Sequence, residues 1–99
     1  MNLDIIQNIT SDEKVILFPY GEMAKKMEPF IRTRNRNLLI VDNAKEDCTR
    51  LRDVNDPNTY KWIIAVERIE LYLELSNDVR MLGVEEKNII DPHREIVLF

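Results

Sequence analysis

Cysteine, histidine and glycine are scarce in this chain: one Cys (Cys48), one His (His93) and two Gly (Gly21, Gly83) among 99 residues. A lone cysteine excludes an internal disulfide and suits a reducing compartment, so a cytoplasmic location is the expectation. One histidine and one distant cysteine do not make a metal-ligand set. No apolar run approaches the ~20 residues needed to span a bilayer. The opening MNLDIIQNITSDEK lacks the basic region and apolar stretch of a signal peptide. Without a secretion route, the glycosylation sequon Asn8-Ile9-Thr10 carries no weight. Basic charge is also wanting. A formal net charge of −4 argues against a general nucleic-acid binder. Neither nucleic acid nor membrane is an expected partner.

What the chain does have is enough apolar material, 44%, for one packed domain over residues 1–99. No repeat, low-complexity tract or Gly/Ser linker divides it. Three short β-branched runs, Lys14–Phe18 (KVILF), Leu38–Val41 (LLIV) and Trp62–Val66 (WIIAV), read as strands buried on both faces, as in a parallel sheet covered by helices. Between the first two, Met23, Met27, Phe30 and Ile31 fall at helical spacing, and Pro29 predicts a kink or an end. After the third, Ile69, Tyr72, Leu75, Val79 and Leu82 mark a second helix. Gly83 stands at its C-terminus, and Ser76-Asn77-Asp78 predicts a break within it. The polar connector Asn43–Thr59 suggests a turn or two of helix near Ala44–Leu51. Residues 1–12 read as a helical extension with Ile5, Ile6 and Ile9 on one side, residues 13–91 as the core, and residues 92–99 as a terminal strand. The order predicts a three-layer α/β Rossmann-like fold with a small, mostly parallel central sheet.

That order makes "VILFPYGEMAKKM" a strand-turn-helix of the nucleotide-binding kind. Such turns use glycines for tightness and close approach, seat phosphate on the helix N-terminus, and place an acidic residue roughly 20 positions on for the ribose. Here Pro19 takes the first glycine position, Gly21 the second, and Ala24 the third, while Asp42 closes the second strand. Proline has no N–H and a fixed negative φ, so the fingerprint is degenerate. The candidate site residues are Pro19, Tyr20, Gly21, Glu22, Asp42 and Asn43. Tyr20, at the turn's tip, is placed to obstruct the cleft.

The succession VILFPYG-EMAKKM, LLIVDN, YKWIIAV and LGVEEKNIID resembles small Rossmann-like domains of bacterial surface-polysaccharide enzymes. These are the N-terminal domains of nucleotide-sugar epimerase/dehydratase-type and sugar acyltransferase-type proteins. The resemblance spans residues 14 to 91 and implies NAD(P) or a nucleotide-sugar as ligand. Two departures accompany it: P-x-G-x-x-A replaces G-x-G-x-x-G, and the epimerase Tyr-x-x-x-Lys is absent from the sequence.

Other constellations have plainer explanations. Glu67, Glu70 and Glu74 suit a solvated helix face. Lys25, Lys26, Arg32, Arg34 and Arg36 suit the end of the first helix, whose dipole they complement. Met23 and Met27 suit a core, as does Trp62 beneath the connector. A Cys48–His93 nucleophile pair lacks any supporting local signature. The expectation is therefore a nucleotide- or nucleotide-sugar-binding-like module, working as a homodimer or docked to a larger parent protein. A protein-interaction domain with a vestigial cleft is the alternative. A stand-alone small transferase or reductase ranks third, since no acid, base or nucleophile has a convincing setting.

Overall fold

The computed structural model describes residues 9–92. Four strands form one sheet: β1 (Lys14–Phe18), β2 (Asn37–Ile40), β3 (Lys61–Ile64) and β4 (Ile89–Ile90). Their spatial order is β2-β1-β3-β4 and every pairing is parallel. Val15 stands opposite Leu38 on one side and Lys61 on the other, so β1 and β3 make the buried centre. Two helices, α1 (Glu22–Arg32) and α2 (Ile69–Arg80), carry the crossovers.

Alternation along the strands sorts the side chains into two cores. Val15, Leu17 and Ile63 point to the face covered by Met23, Ala24, Met27 and Ile31 of α1. Ile16, Phe18, Trp62 and Ile64 point to the opposite face, covered by Tyr72 and Val79 of α2 and by Leu51 and Val54 of the connector. The result is the three-layer Rossmann-like arrangement. Trp62 is fully buried on the connector side, as its sequence context suggested. Its Nε1 donates to the Pro57 carbonyl at 2.8 Å, and its ring meets Phe18 edge-on at 6.2 Å.

Several local expectations are corrected. Helix α1 runs through Pro29 to Arg32. Proline removes only the bond to the Lys25 carbonyl, on an exposed surface where water can replace it, while the flanking Met27 and Ile31 are fully buried. Helix α2 does not break at Ser76-Asn77-Asp78. The buried Ser76 hydroxyl donates to the Leu73 carbonyl at 3.2 Å and accepts from Arg80 Nη1, so this helix-breaking residue is satisfied within the helix. Ile69, expected on the buried side of α2, is 52% exposed. Gly83 does end the turn beyond α2, at φ +91°.

No helix forms over Ala44–Leu51. A parallel bridge from Val41 to Thr49 and a hydrogen bond from Leu51 N–H to Asn43 Oδ1 (2.8 Å) hold that stretch as a loop. Single 3₁₀ turns follow at Leu51–Asp53 and Pro57–Thr59. Most of the expected N-terminal helix, His93 and the strand at Glu95–Leu98 lie outside the described residues. Residues 9–12 are irregular and turn, with Ile9 buried in the α1-side core.

The amino-terminal end of the sheet is stitched by buried amides. Asn35, 4% exposed, donates from Nδ2 to the carbonyls of Thr10 and Glu13, both at 2.8 Å, and accepts from Asn37 N–H. Asn88 donates to Asn58 and accepts from Lys61 Nζ at 3.0 Å, joining the entries of β3 and β4. Among the described residues no helix is long and apolar enough to cross a membrane.

Candidate ligand-binding cleft

Parallel strands joined through a helix take right-handed crossovers. The first crossover here steps from β1 outward to β2, the second from β3 outward the other way to β4. Equal handedness and opposite directions put α1 and α2 on opposite faces, and the chain parts above β1 and β3. Ligands of open α/β sheets bind in such a crevice at the carboxyl ends of the strands.

A cleft of about 320 Å³ lies at that point. Its first wall is Pro19, Gly21, Glu22 and Lys26, from the turn after β1 and the start of α1. Glu67 and Arg68, from the turn after β3, make the second wall, over an apolar floor that includes Met23, Ala65 and Leu71. Backbone bonds hold the walls together: Ala65 N–H donates to the Phe18 carbonyl at 2.8 Å.

Gly21 is the residue before α1, with φ −94° and ψ −162° and no capping side chain. Those angles are open to any residue, and a Cβ built there meets nothing within 4 Å. Neither backbone strain nor crowding calls for glycine here. What its bare backbone provides is access, so a ligand can approach the chain closely. The first N–H groups of α1 have no partner within the helix, and the residue before α2, Arg68, likewise provides no side-chain cap. Both helices thus turn the positive ends of their dipoles toward the crevice. Lys26 and Arg68 add two cations, and Glu22 and Glu67 two carboxylates. The lining is formally neutral, polar at the rim and apolar beneath.

Of the six residues singled out from sequence, Pro19, Gly21 and Glu22 line the cleft; Tyr20, Asp42 and Asn43 do not. The Phe18–Pro19 peptide is cis. Tyr20 does not obstruct the opening. Its hydroxyl reaches along α1 to donate to Glu28 Oε1 at 2.7 Å, and Lys25 Nζ lies 5.5 Å from its ring centroid. Arg32 clamps the same carboxylate at 2.7 Å. The hydrogen bond to Glu28 is the main reason the Tyr20 phenol titrates above its ordinary range. The same bond, assisted by Arg32 and opposed by desolvation, holds Glu28 below the usual carboxylate range.

Asp42 is 7% exposed and both its oxygens are taken by backbone. Oδ2 accepts from Tyr20 N–H at 2.8 Å and Oδ1 from Ala44 N–H at 2.7 Å. It thereby fastens the turn after β1 to the turn after β2. Asn43, through its bond to Leu51 N–H, fixes the connector. Cys48 is half-buried, and desolvation, reinforced by Asp42 and Asp47, raises its thiol pKa, so little thiolate forms at neutral pH. Among the described residues no three Cys, His, Asp or Glu side chains converge as metal ligands.

Sequence reasoning missed the second wall altogether. It placed Lys26 in a basic cluster and Glu67 on a helix face, yet Glu67 precedes α2 and both flank the cleft. The strand order would have located that wall, and no single segment of sequence encodes strand order. A scan against protein-family models and searches of curated proteins and of solved structures find no match for this chain.

Proposed function

We propose that the domain is a binding module for a nucleotide or nucleotide-sugar, held by its phosphate in the cleft between the turns after β1 and β3, and that it works within a larger protein or assembly. The observation that carries this is Gly21: a glycine that the fold itself does not require, bare to the crevice, immediately before a helix whose first N–H groups have no partner within the helix and no capping side chain. The cleft's 320 Å³ is near the lower end of the ~300–1,000 Å³ usual for small-molecule sites. That favours one nucleotide unit over a whole dinucleotide. The resemblance to polysaccharide-biosynthesis domains supports the nucleotide-sugar class.

The test is a thermal-shift and calorimetry panel of NAD(H), NADP(H), nucleoside diphosphates and nucleotide-sugars, run on the native domain and on Gly21→Val. A ligand at a hundred times its dissociation constant stabilises by about 2.7 kcal/mol. One nucleotide class is expected to raise the melting temperature, and Gly21→Val, whose Cβ meets no neighbour within 4 Å, to abolish the shift while leaving the unliganded domain folded. A panel with no shift removes the proposal. It would assign the domain to protein interaction with a vestigial cleft, the reading favoured by Glu22 and Glu67, whose carboxylates oppose phosphate at the rim.

A further inference from the structure

A second groove, of about 310 Å³, lies between the connector and the end of α2 and shares no residue with the first. Its lining among the described residues is Asn43, Arg50, Leu51, Arg52 and Leu82. The two leucines belong to the α2-side core, Leu51 buried and Leu82 packed against it, so the floor is apolar. The polar groups are all of one kind. Arg50 and Arg52 offer guanidinium donors, and the ion pairs among the described residues use Arg32, Arg68, Arg80 and Lys87 instead.

Asn43 adds a third donor, and its orientation is fixed by chemistry. The atom facing Leu51 N–H must be the carbonyl oxygen, because two donors would repel; Nδ2 is therefore the atom left over, with no partner among the described residues. Among the described residues no carboxylate lines this groove, although the chain carries 18 acidic residues against 14 basic. The contrast with the first cleft, where two acids face two bases, is chemical as well as spatial.

We propose that this groove is a second binding site, for a small amphipathic anion whose carboxylate or phosphate head is held by Arg50 and Arg52 and whose apolar body lies on Leu51 and Leu82. Two planar guanidinium forks suit a carboxylate or phosphate in a bidentate manner that lysine cannot reproduce. Asn43 Nδ2 supplies a further donor to the head. The proposal is independent of the nucleotide reading.

The experiment is a titration of the isotope-labelled full chain, followed by amide NMR, with four probes: hexanoate, hexyl phosphate, inorganic phosphate and hexanol. Both amphipathic anions are expected to shift the amides of Arg50, Leu51, Arg52 and Leu82. Whichever binds more tightly identifies the head group. Arg50→Ala/Arg52→Ala should weaken binding at least about tenfold, and Arg50→Lys/Arg52→Lys, which keeps the charge without the fork, should fall in between. Gly21→Val should bind these probes as the native chain does. Hexanol binding as tightly as the anions would exclude a role for the arginines, and inorganic phosphate binding as tightly as hexyl phosphate would exclude one for the leucines. No perturbation by either anion, or native affinity in the double alanine variant, overturns the proposal.

Discussion

The two ends of the sheet are built differently. At the amino-terminal end, where chain enters the strands, buried amides join the elements: Asn35 ties the approach of β2 to that of β1, and Asn88, bonded to the exposed Asn58, ties β3 to β4. At the carboxyl end, Asp42 joins the turns after β1 and β2, while the turns after β1 and β3, held by the backbone bond from Ala65 to Phe18, flank open space. One end is closed by side-chain hydrogen bonds; the other keeps its backbone donors available. With the proposed ligand site, stability and binding would fall to opposite ends of the same four strands. Asp42 has a share in both, since it holds the turn that forms the first wall of the cleft.

The sharpest way to break this division is at Asn35. Asn35→Ala removes three hydrogen bonds and leaves the Thr10 and Glu13 carbonyls and the Asn37 N–H, all part-buried, to find other partners. At about 1 kcal/mol per bond, a loss near 3 kcal/mol is expected in denaturant unfolding. At a temperature where the variant is fully folded, its affinity for a ligand of the cleft should match the native value; a loss of affinity would show the two ends to be coupled.

Asp42→Ala should cost less, about 2 kcal/mol, because the exposed Ala44 N–H can turn to water while the Tyr20 N–H is harder to satisfy. Unlike Asn35→Ala it should also weaken nucleotide binding, by loosening the turn before Gly21. Asp42→Asn keeps one acceptor oxygen and should recover part of both. If Asp42→Ala alters affinity with no change in stability, the residue contacts ligand and does not merely hold the turn.

The smallest effect belongs to Tyr20→Phe. Because the Tyr20 phenol is raised above its ordinary 10.0 in the folded chain, its contribution is complete below pH 10 and disappears as pH rises through the raised value. Because Glu28 is lowered from 4.5, its contribution is complete above that pH and is lost as pH falls through the lowered value. Stability conferred by this contact is therefore flat between the two limits. Tyr20→Phe should flatten the alkaline slope and reduce the acid one, as read from melting curves across pH, with ligand affinity untouched at pH 7.

These contrasts also explain what could be read in advance. Lys14–Phe18 and Trp62–Val66 announced themselves as buried strands because β-branched runs have few other uses, and Met23, Met27 and Ile31 repeat at the pitch of a helix that buries one side. Gly83 was legible because positive φ has few occupants. Pro29 and Ser76 misled for one reason: local rules count a lost or competing hydrogen bond, whereas packing of Met27, Ile31 and Val79 on the sheet outweighs it. Asp42 was legible as an acidic strand end. Its bonds to Tyr20 and Ala44 were not, since they depend on the turn after β1 lying beside the turn after β2. The second wall of the cleft depended on strand order, and so was invisible to any segment taken alone.

The reversal of strand order carries a consequence for how the molecule comes together. The seam between β1 and β3, where Val15 meets Lys61, joins residues far apart in the chain, whereas each flanking crossover pairs strands nearer in sequence. Closing such a non-local pairing costs loop entropy before its contacts are gained. The cleft sits across that seam, so it exists only when the two halves have met. Anything bound there acts as a clasp on the joined state, and occupancy would slow the parting of the halves as well as fill the space between them.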